Sequence, residues 1–178
     1  VTTAEHAITL MMSLARQIPQ ADTSTKNSLW EKSKFMGVEI TGKTLGVIGC
    51  GNIGAIVIDR AKGLKMKVIG YDPYLTEERA ESMAIEKVEL KELFARSDFI
   101  TIHTPLTEQT KNIINAVSIK QMKSSVRIIN CARGGLVDED ALLEALNNGK
   151  IAGAAIDVYQ EEPAKDNPLF GNEKIICT

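Results

Sequence analysis

Aromatic residues are scarce in this sequence, at 4% of 178 residues, with one Trp, three Tyr and four Phe. The hydrophobic share of 44% is nevertheless ordinary for a globular protein. A core must therefore be built from Val, Ile, Leu, Met and Ala side chains. The length suits one large domain with such a core.

Neither sign of charge is in excess, with 21 Lys and Arg against 23 Asp and Glu and a formal net charge of -2. This near balance gives no support for a surface that binds nucleic acid or acidic membranes. No apolar run approaches the roughly 18 residues that span a bilayer, and no signal peptide opens the sequence. We therefore expect a cytoplasmic protein.

Cysteines are also few, and Cys50, Cys131 and Cys177 form an odd, scattered set. Such a set suits a reducing compartment, and the intervals between the cysteines lack the spacing of a metal site. We therefore expect three free, buried thiols and no bound metal.

The first residues of the sequence predict a helix. Thr2 and Glu5 have the spacing of a capping box, and apolar residues continue at helical spacing to Ile18. Pro19 is expected to end the helix. Because apolar side chains surround most of this helix, we expect it to be buried against more than one neighbour, including a second subunit.

Residues 20–40 are polar and irregular, which indicates an exposed arm that carries Trp30 and Phe35. The apolar helix and the arm both need a partner surface, so residues 1–40 are predicted to supply a dimer contact. Residues 41–178 are predicted to form the core of the same domain.

From residue 41 onward, short apolar runs alternate with amphipathic segments. Six runs predict strands, at residues 44–48, 67–71, 99–103, 126–130, 151–156 and 174–177. Helical spacing predicts helices at 53–64, 76–84, 90–96 and between Asp138, as the cap, and Gly149. Strands that alternate with helices form a parallel sheet covered on both faces. The predicted fold class is therefore α/β with a doubly wound parallel sheet.

Residues 49–54, Gly-Cys-Gly-Asn-Ile-Gly, match the G-x-G-x-x-G pattern between a predicted strand and a predicted helix. Gly49 allows a tight turn, Gly51 lets the backbone approach a pyrophosphate, and Gly54 lets the helix pack closely on the strand. The helix N-terminus offers free N–H groups to the phosphates. This context predicts a dinucleotide-binding, Rossmann-type core.

Asp72 ends the second predicted strand, about 20 positions after the glycines, as this motif requires. Its carboxylate can accept hydrogen bonds from both ribose hydroxyls, and it would repel the 2′-phosphate of NADP. No Arg sits beside it in the sequence, so we predict NAD rather than NADP. The alternative is a solvated Asp in a turn before Pro73.

Three blocks of sequence are familiar: residues 42–49 leading into the glycine motif, residues 97–106, and residues 130–138. Together they resemble the D-2-hydroxyacid dehydrogenase family, and the similarity covers essentially the whole chain. The resemblance implies a two-lobed subunit in which this chain is the NAD-binding domain, and it implies that members pair through this domain.

Residues 14–21, 30–37 and 157–163 are most similar to the family members that oxidise 3-phosphoglycerate. The resemblance then implies NAD-dependent oxidation of the C2 hydroxyl of 3-phosphoglycerate to 3-phosphohydroxypyruvate, which begins serine synthesis. A homodimer or a higher homo-oligomer is expected.

The resemblance also assigns roles to individual residues. Arg133 would bind the substrate carboxylate and polarise the C2 oxygen, although a surface salt bridge is the alternative. Glu162 would hydrogen-bond the catalytic histidine and tune it as a base. The cofactor cleft would be formed by Gly49, Gly51, Asn52, Ile53, Gly54, Asp72, Thr104, Pro105, Cys131, Ala132, Arg133 and Asp157, the last near the nicotinamide carboxamide.

The sequence departs from the family pattern at the catalytic histidine. In the family this residue follows the last strand, and the present sequence ends at Thr178, about where that turn begins. His6 suits a structural role in the first helix, and His103 belongs to the second block rather than to proton transfer. We therefore expect this chain, which also lacks the first lobe of the substrate domain, to bind NAD but turn over little.

The phosphate of 3-phosphoglycerate has no clear ligand in the sequence, and two rival hypotheses remain. Lys32 or Lys34 could bind that phosphate, but solvated lysines on a polar arm are the alternative. Another 2-hydroxyacid dehydrogenase, such as a hydroxypyruvate or glyoxylate reductase, would keep the mechanism with a different substrate. Some relatives with this architecture are instead NAD-sensing transcriptional corepressors, which bind other proteins.

Overall fold

The computed structural model describes residues 1–178, and seven strands alternate with helices along the chain. The strands are β1 Thr44–Ile48, β2 Lys67–Tyr71, β3 Glu86–Lys87, β4 Phe99–Ile102, β5 Arg127–Asn130, β6 Gly153–Ile156 and β7 Ile175–Cys177. The helices are α1 Thr2–Arg16, α2 Ile18–Lys26, α3 Asn52–Gly63, α4 Glu77–Ser82, α5 Leu90–Arg96, α6 Ala116–Lys120 and α7 Glu139–Asn147. Two short 3-10 helices lie at Lys32–Phe35 and Pro168–Gly171.

The seven strands form one sheet in the order β3-β2-β1-β4-β5-β6-β7, and every neighbouring pair is parallel. Strands β1 to β3 are added in sequence toward one edge of the sheet. The chain then returns to pair β4 with β1, and β4 to β7 are added toward the opposite edge. The predicted α/β class with a doubly wound parallel sheet is confirmed. The direction changes between β1 and β4, and open sheets of this kind bind ligands outside the carboxyl ends of the strands at such a point.

The apolar core forms one layer on each face of the sheet. Helices α1 and α3 cover one face, while α5, α6 and α7 cover the other. Within β5, Ile128 belongs to one layer and Ile129 to the other, because side chains alternate along a strand. Strands buried on both faces have continuous apolar runs, which is why those runs predicted the sheet.

The capping box predicted at the start of α1 is wrong. Val1 occupies the N-cap position without a side-chain hydrogen bond, and the Glu5 N–H donates to the Val1 carbonyl at 3.0 Å. Helical hydrogen bonding thus begins one residue before Thr2, which leaves the Thr2 side chain inside the helix, where it caps nothing.

The apolar face of α1 is covered by its own chain. Its buried residues are Ala4, Ala7, Leu10, Met11, Leu14 and Ala15. They pack in the layer that contains α3, and α1 also contacts strands β5 to β7. This helix therefore does not need a second subunit to cover it, and the dimer remains a prediction that rests on the exposed arm.

The expectation that Pro19 ends a helix, with an irregular segment from residue 20, is wrong. Gln17 adopts a left-handed conformation with φ of 54°, and a new helix, α2, begins at Ile18. Proline is tolerated in the first turn of a helix because the N–H it lacks would have no partner there. Beyond α2 the arm is irregular apart from its 3-10 turn, and Trp30 is 85% exposed.

Two further elements were not predicted, β3 and α6. Strand β3 is a two-residue edge strand of exposed Glu86 and Lys87, so it has no apolar pattern. Helix α6 has only five residues, and it begins with a capping box between Asn115 and Ser118. By contrast, the predicted cap of α7 is confirmed, since the Asp138 carboxylate accepts from the Ala141 N–H at 3.1 Å.

None of the helices is both long and apolar enough to cross a membrane. All three cysteines are free thiols, as expected. Cys50 and Cys131 are buried, whereas Cys177 is only partly buried because it lies on the last strand at the edge of the sheet.

Candidate active site

A cleft of about 310 Å³ lies at the carboxyl edge of the sheet, beside the change of direction between β1 and β4. Two larger hollows, of about 440 and 660 Å³, lie at the ends of β5, β6 and β7. The cleft is lined by Thr3, Ile53, His103, Thr104, Pro105, Cys131, Ala132 and Arg133. Six of the predicted cofactor residues are therefore brought together here.

The glycine loop joins β1 to α3 by a backbone that side chains would obstruct. Gly49 has φ of +94°, and a Cβ there would collide with the carbonyl of His103. A Cβ at Gly54 would collide with the carbonyl of Gly49, so helix and strand approach as closely as predicted. Gly51 is the N-cap of α3, and a Cβ there would meet no atom within 4 Å. The space above Gly51, at the helix N-terminus that begins with Asn52, is thus open to a phosphate group.

Asp72 follows β2 and faces the glycine loop. Its Oδ2 accepts a hydrogen bond from the Cys50 N–H at 2.9 Å, and its Oδ1 accepts from the Tyr74 N–H at 2.9 Å. These two bonds fix the carboxylate beside the loop, although each oxygen keeps a further lone pair. Asp72 forms no ion pair, but α4 brings the charge of Arg79 within reach of Cys50. The sequence prediction considered only residues adjacent to Asp72, and Arg79 lies seven positions further along the chain.

His103 forms part of the cleft wall just beyond β4. Its Nε2 lies 2.8 Å from Thr101 Oγ1, while its Nδ1 is buried without a hydrogen-bond partner. Burial lowers the pKa of His103 to about 4, so the ring is neutral near pH 7. An orphaned ring nitrogen suits a cleft that takes a polar ligand or an ordered water.

Arg133 lies in the turn after β5, with an exposed side chain. Its Nη1 donates to the Ala132 carbonyl at 2.7 Å, and no carboxylate lies within salt-bridge distance of its guanidinium. The alternative of a surface salt bridge is therefore not realised in this chain. The guanidinium remains available to an anion.

Asn130, the last residue of β5, holds the turn that carries Arg133. It is 1% exposed, its Oδ1 accepts from the Ala132 N–H at 3.0 Å, and its Nδ2 donates to the Arg133 carbonyl at 3.1 Å. The loop after β6 packs directly against this turn, so closely that a Cβ at Gly134 would collide with the carbonyl of Tyr159. Sequence reasoning missed Asn130 as a positioning residue, although a lone amide at the end of an apolar strand was the available signal.

Glu162 lies in the loop after β6, and its Oε1 accepts from the Tyr159 N–H at 3.0 Å. The peptide bond between Glu162 and Pro163 is cis. Arg133 and Glu162 both line the hollow of about 440 Å³. Residues that lie 29 positions apart in the sequence thus meet beside the cleft. A carboxylate and a free guanidinium around one hollow can position an acid–base group and an anion together.

Asp157 follows β6 and lies in a polar cluster at the same edge. Its Oδ1 accepts from Thr178 Oγ1 at 2.7 Å and lies 3.3 Å from His6 Nε2. Burial, together with the nearby charge of Asp157, raises the pKa of the Cys131 thiol to about 12. His6 was expected to be structural, and nothing in the sequence indicated that α1 would bring it to this edge.

The arm lysines lie away from this edge within one chain. Lys34 pairs with Glu31 at 3.6 Å, and Lys32 lines a separate hollow with Trp30 and Met36. The structure therefore does not bring Lys32 or Lys34 together with Arg133.

Comparison with known proteins gives one family. The model of the D-isomer specific 2-hydroxyacid dehydrogenase NAD-binding domain matches residues 8–178. D-3-phosphoglycerate dehydrogenase of Methanocaldococcus jannaschii is 52% identical over 100% of this chain and 34% of its own length. The human enzyme of that name is 48% identical over 99% of this chain and 33% of its own.

A solved structure agrees. The apo-structure of D-lactate dehydrogenase from Escherichia coli has a TM-score of 0.90 at 38% identity, over 99% of this chain and 55% of that one. The present chain spans about a third of the curated relatives it matches. By sequence and by fold, it belongs to the D-isomer specific 2-hydroxyacid dehydrogenase family and is the NAD-binding domain of that family.

Proposed function

We propose that this chain belongs to an enzyme that oxidises the C2 hydroxyl of 3-phosphoglycerate to 3-phosphohydroxypyruvate, at the start of serine synthesis. One observation carries the proposal: Arg133 and Glu162 converge on a hollow beside the dinucleotide cleft. The curated relatives at 48 to 52% identity bear the name of that enzyme, which supports the choice of substrate.

The cofactor would be held by groups along the carboxyl edge. The N–H groups at the N-terminus of α3, above the open space at Gly51, suit a pyrophosphate. Asp72 suits the ribose hydroxyls, and Asp157 suits the carboxamide. When bound, NAD supplies the hydride acceptor. The walls of the cleft would position it through Ile53, Thr104, Pro105, Cys131 and Ala132, and Asn52 would lie at the pyrophosphate.

Arg133 would bind the carboxylate of the substrate through its planar fork, which forms two parallel hydrogen bonds to such a group. The guanidinium has no competing carboxylate, and Asn130 fixes the turn that carries it. The substrate is thereby oriented with its C2 hydroxyl in the hollow, where part of the barrier is removed by positioning alone.

Glu162 would orient an imidazole that accepts the hydroxyl proton, and its charge would raise the pKa of that imidazole. His103 does not suit this role, because burial holds its pKa at about 4 and its Nε2 contacts Thr101. His6 does not suit it either, since it is engaged with Asp157 and Thr178. We therefore propose that residues 1–178 bind NAD but turn over little by themselves.

The oligomer is also part of this proposal. Trp30 is 85% exposed and Met36 is 75% exposed, so the arm presents two large apolar side chains to solvent. Large exposed apolar side chains of this kind mark contact surfaces. We infer that two chains pair with this arm at their interface.

The three free thiols are consistent with a reducing cytoplasm.

The direct test offers the full-length protein NAD with 3-phosphoglycerate, glycerate or lactate and measures NADH formation. Turnover selective for 3-phosphoglycerate is expected. Activity only on the unphosphorylated acids would discard the substrate and keep the roles of Arg133 and Glu162. No turnover of any of them would overturn the proposed reaction.

A second candidate is another 2-hydroxyacid dehydrogenase, with hydroxypyruvate, glyoxylate or a similar acid as substrate. One observation favours it: Arg133 is the only basic residue that lines the hollow of about 440 Å³. Nothing else there would bind a phosphate. Under the first proposal, the phosphate ligands must come from outside this hollow, whereas the second candidate needs none.

A further inference from the structure

Three side chains from distant parts of the chain meet at the carboxyl edge of the sheet. They are His6 on α1, Cys131 after β5 and Asp157 after β6, and their ligand atoms all lie within 4.8 Å of one another. The scattered cysteines predicted no metal site, because no short interval of the sequence holds two such ligands. The fold assembles the three residues by winding β5 and β6 side by side beneath α1.

The distances suit a shared tetrahedral ion. Zinc binds His nitrogen and carboxylate oxygen at about 2.0 to 2.2 Å, so two such ligands on one ion lie about 3.4 Å apart. His6 Nε2 and Asp157 Oδ1 are 3.3 Å apart. The sulfur of Cys131, at most 4.8 Å from the other two ligand atoms, needs to move inward by up to about 1.2 Å to complete the third position, since zinc–sulfur bonds are about 2.3 Å long.

The chemistry of the set favours a borderline-soft cation. Thiolate and imidazole suit Zn²⁺, whereas Mg²⁺ and Ca²⁺ prefer oxygen alone. Asp157 has no Lys or Arg partner, and His6 is its only basic neighbour within ion-pair distance. A bound cation would displace the thiol proton of Cys131 to solvent as the sulfur–metal bond forms.

The surroundings support the ligands. Cys131 is 5% exposed, and the Asp157 N–H donates to the Asn130 carbonyl at 3.0 Å, which fixes the backbone after β6. Thr178 Oγ1 donates to Asp157 Oδ1 at 2.7 Å, a bond that the carboxylate oxygen can keep while it binds a metal. The contact between Thr178 Oγ1 and His6 Nε2, at 3.1 Å, would be replaced by the metal, because that nitrogen has one bonding position. Three protein ligands leave the fourth position open.

We propose that His6, Cys131 and Asp157 bind Zn²⁺, and that Zn²⁺ and NAD exclude each other. The exclusion rests on the proposed function, which gives Asp157 to the nicotinamide end of the cofactor. Metal binding itself rests only on the three side chains. The site would let a soft divalent cation inhibit the enzyme at its cofactor cleft.

The first experiment titrates the metal-free protein with Co²⁺ as a coloured substitute for Zn²⁺. A thiolate-to-cobalt charge-transfer band is expected in the parent, and added Zn²⁺ should abolish it while Mg²⁺ does not. His6→Ala should weaken Co²⁺ binding by at least about 10-fold, the lower end for losing even an outer-shell partner. Cys131→Ser should abolish the thiolate band. Cys177→Ala, which removes another thiol at this edge, should keep it.

Absence of the band in the parent, or its persistence in Cys131→Ser, would overturn the metal site. An unchanged affinity in His6→Ala would remove His6 from it. His6 is half-exposed on α1, so this variant should fold, and its melting temperature checks that it does.

The second experiment measures the Kd for NAD with and without Zn²⁺. Zn²⁺ should raise the apparent Kd in the parent and leave it unchanged in His6→Ala. An unchanged Kd in a parent that shows the cobalt band would overturn the exclusion. Failure of NAD to bind without metal would overturn the proposed function, while the cobalt spectra would still decide the metal site.

Discussion

The Asp72 carboxylate accepts a hydrogen bond from the Cys50 N–H at 2.9 Å, which ties the end of β2 to the glycine loop after β1. The carboxylate proposed to bind the ribose and the loop proposed to face the phosphates are therefore one connected unit. A ribose placed between them would meet a carboxylate whose position is already fixed.

Asp72→Ala should weaken NAD binding by about 10- to 100-fold, because a hydrogen bond to a charged group contributes about 1.5 to 3 kcal/mol. It should also reduce the difference in affinity between NAD and NADP, since the charge that repels the 2′-phosphate is gone and Arg79 lies near the loop. Calorimetric titration with both dinucleotides measures this. Asp59→Ala, at an exposed carboxylate on α3, is the control. Unchanged selectivity would remove Asp72 from the cofactor site.

Gly51→Ala should fold normally and lose NAD affinity. Gly51 has φ of -76°, and a Cβ there meets no protein atom within 4 Å, so the change is tolerated without strain. The melting temperature should change little, because the restriction that alanine places on the unfolded chain is offset by its being a poorer N-cap than glycine. The same methyl would occupy the space proposed for the pyrophosphate. A variant that binds NAD as tightly as the parent would place the phosphates elsewhere.

Asn130→Ala should lower the free energy of unfolding by about 1 to 3 kcal/mol, because it removes two hydrogen bonds made by a buried amide to the partly buried backbone of the Arg133 turn. In the full-length enzyme it should also raise the KM for substrate, since the Arg133 turn loosens. Urea denaturation and steady-state kinetics measure the two effects. Asn148→Ala, at an exposed helix end, should change neither. Equal stability of the two variants would contradict the role of Asn130.

His103 makes stability depend on pH. Its folded pKa of about 4 lies below the ordinary value of 6.5, so the unfolded chain binds the proton first. Stability from this residue is therefore present above pH 6.5 and is lost as the pH falls toward 4, by up to about 3 kcal/mol. His103→Gln should flatten the pH dependence of the free energy of unfolding between pH 6.5 and 5. Equal slopes in the parent and in His103→Gln would show that His103 titrates normally.

Much of the fold could be predicted because its signals are local. Buried parallel strands have continuous apolar runs, and all six predicted runs lie in the sheet. Elements without such a pattern could not be found. Strand β3 pairs through the backbone of two exposed residues, and the first turn of α2 contains Pro19, a residue that also predicts the end of a helix. The capping box at Thr2 failed because spacing alone cannot show which residue begins a helix.

The candidate site divides in the same way. Gly49, Gly54 and Asp72 have local motifs, and the structure places them as the motif requires. The proximity of Arg133 and Glu162 depends on the packing of two loops, so their roles could be predicted only from the family resemblance. No sequence pattern indicated that His6 reaches Asp157, because α1 is joined to that edge only by the folded chain.

The substrate site is tested most directly by the activity of Arg133→Ala in the full-length enzyme, together with the Kd of that variant for NAD. Loss of two charged hydrogen bonds should lower kcat/KM for 3-phosphoglycerate by about 100-fold or more. Arg133→Lys, which keeps the charge without the fork, should recover only part of it. Arg60→Ala, at a surface arginine on α3, should leave kcat/KM for 3-phosphoglycerate unchanged. The affinity for NAD should change little in Arg133→Ala, and near-normal turnover by that variant would remove Arg133 from the substrate site.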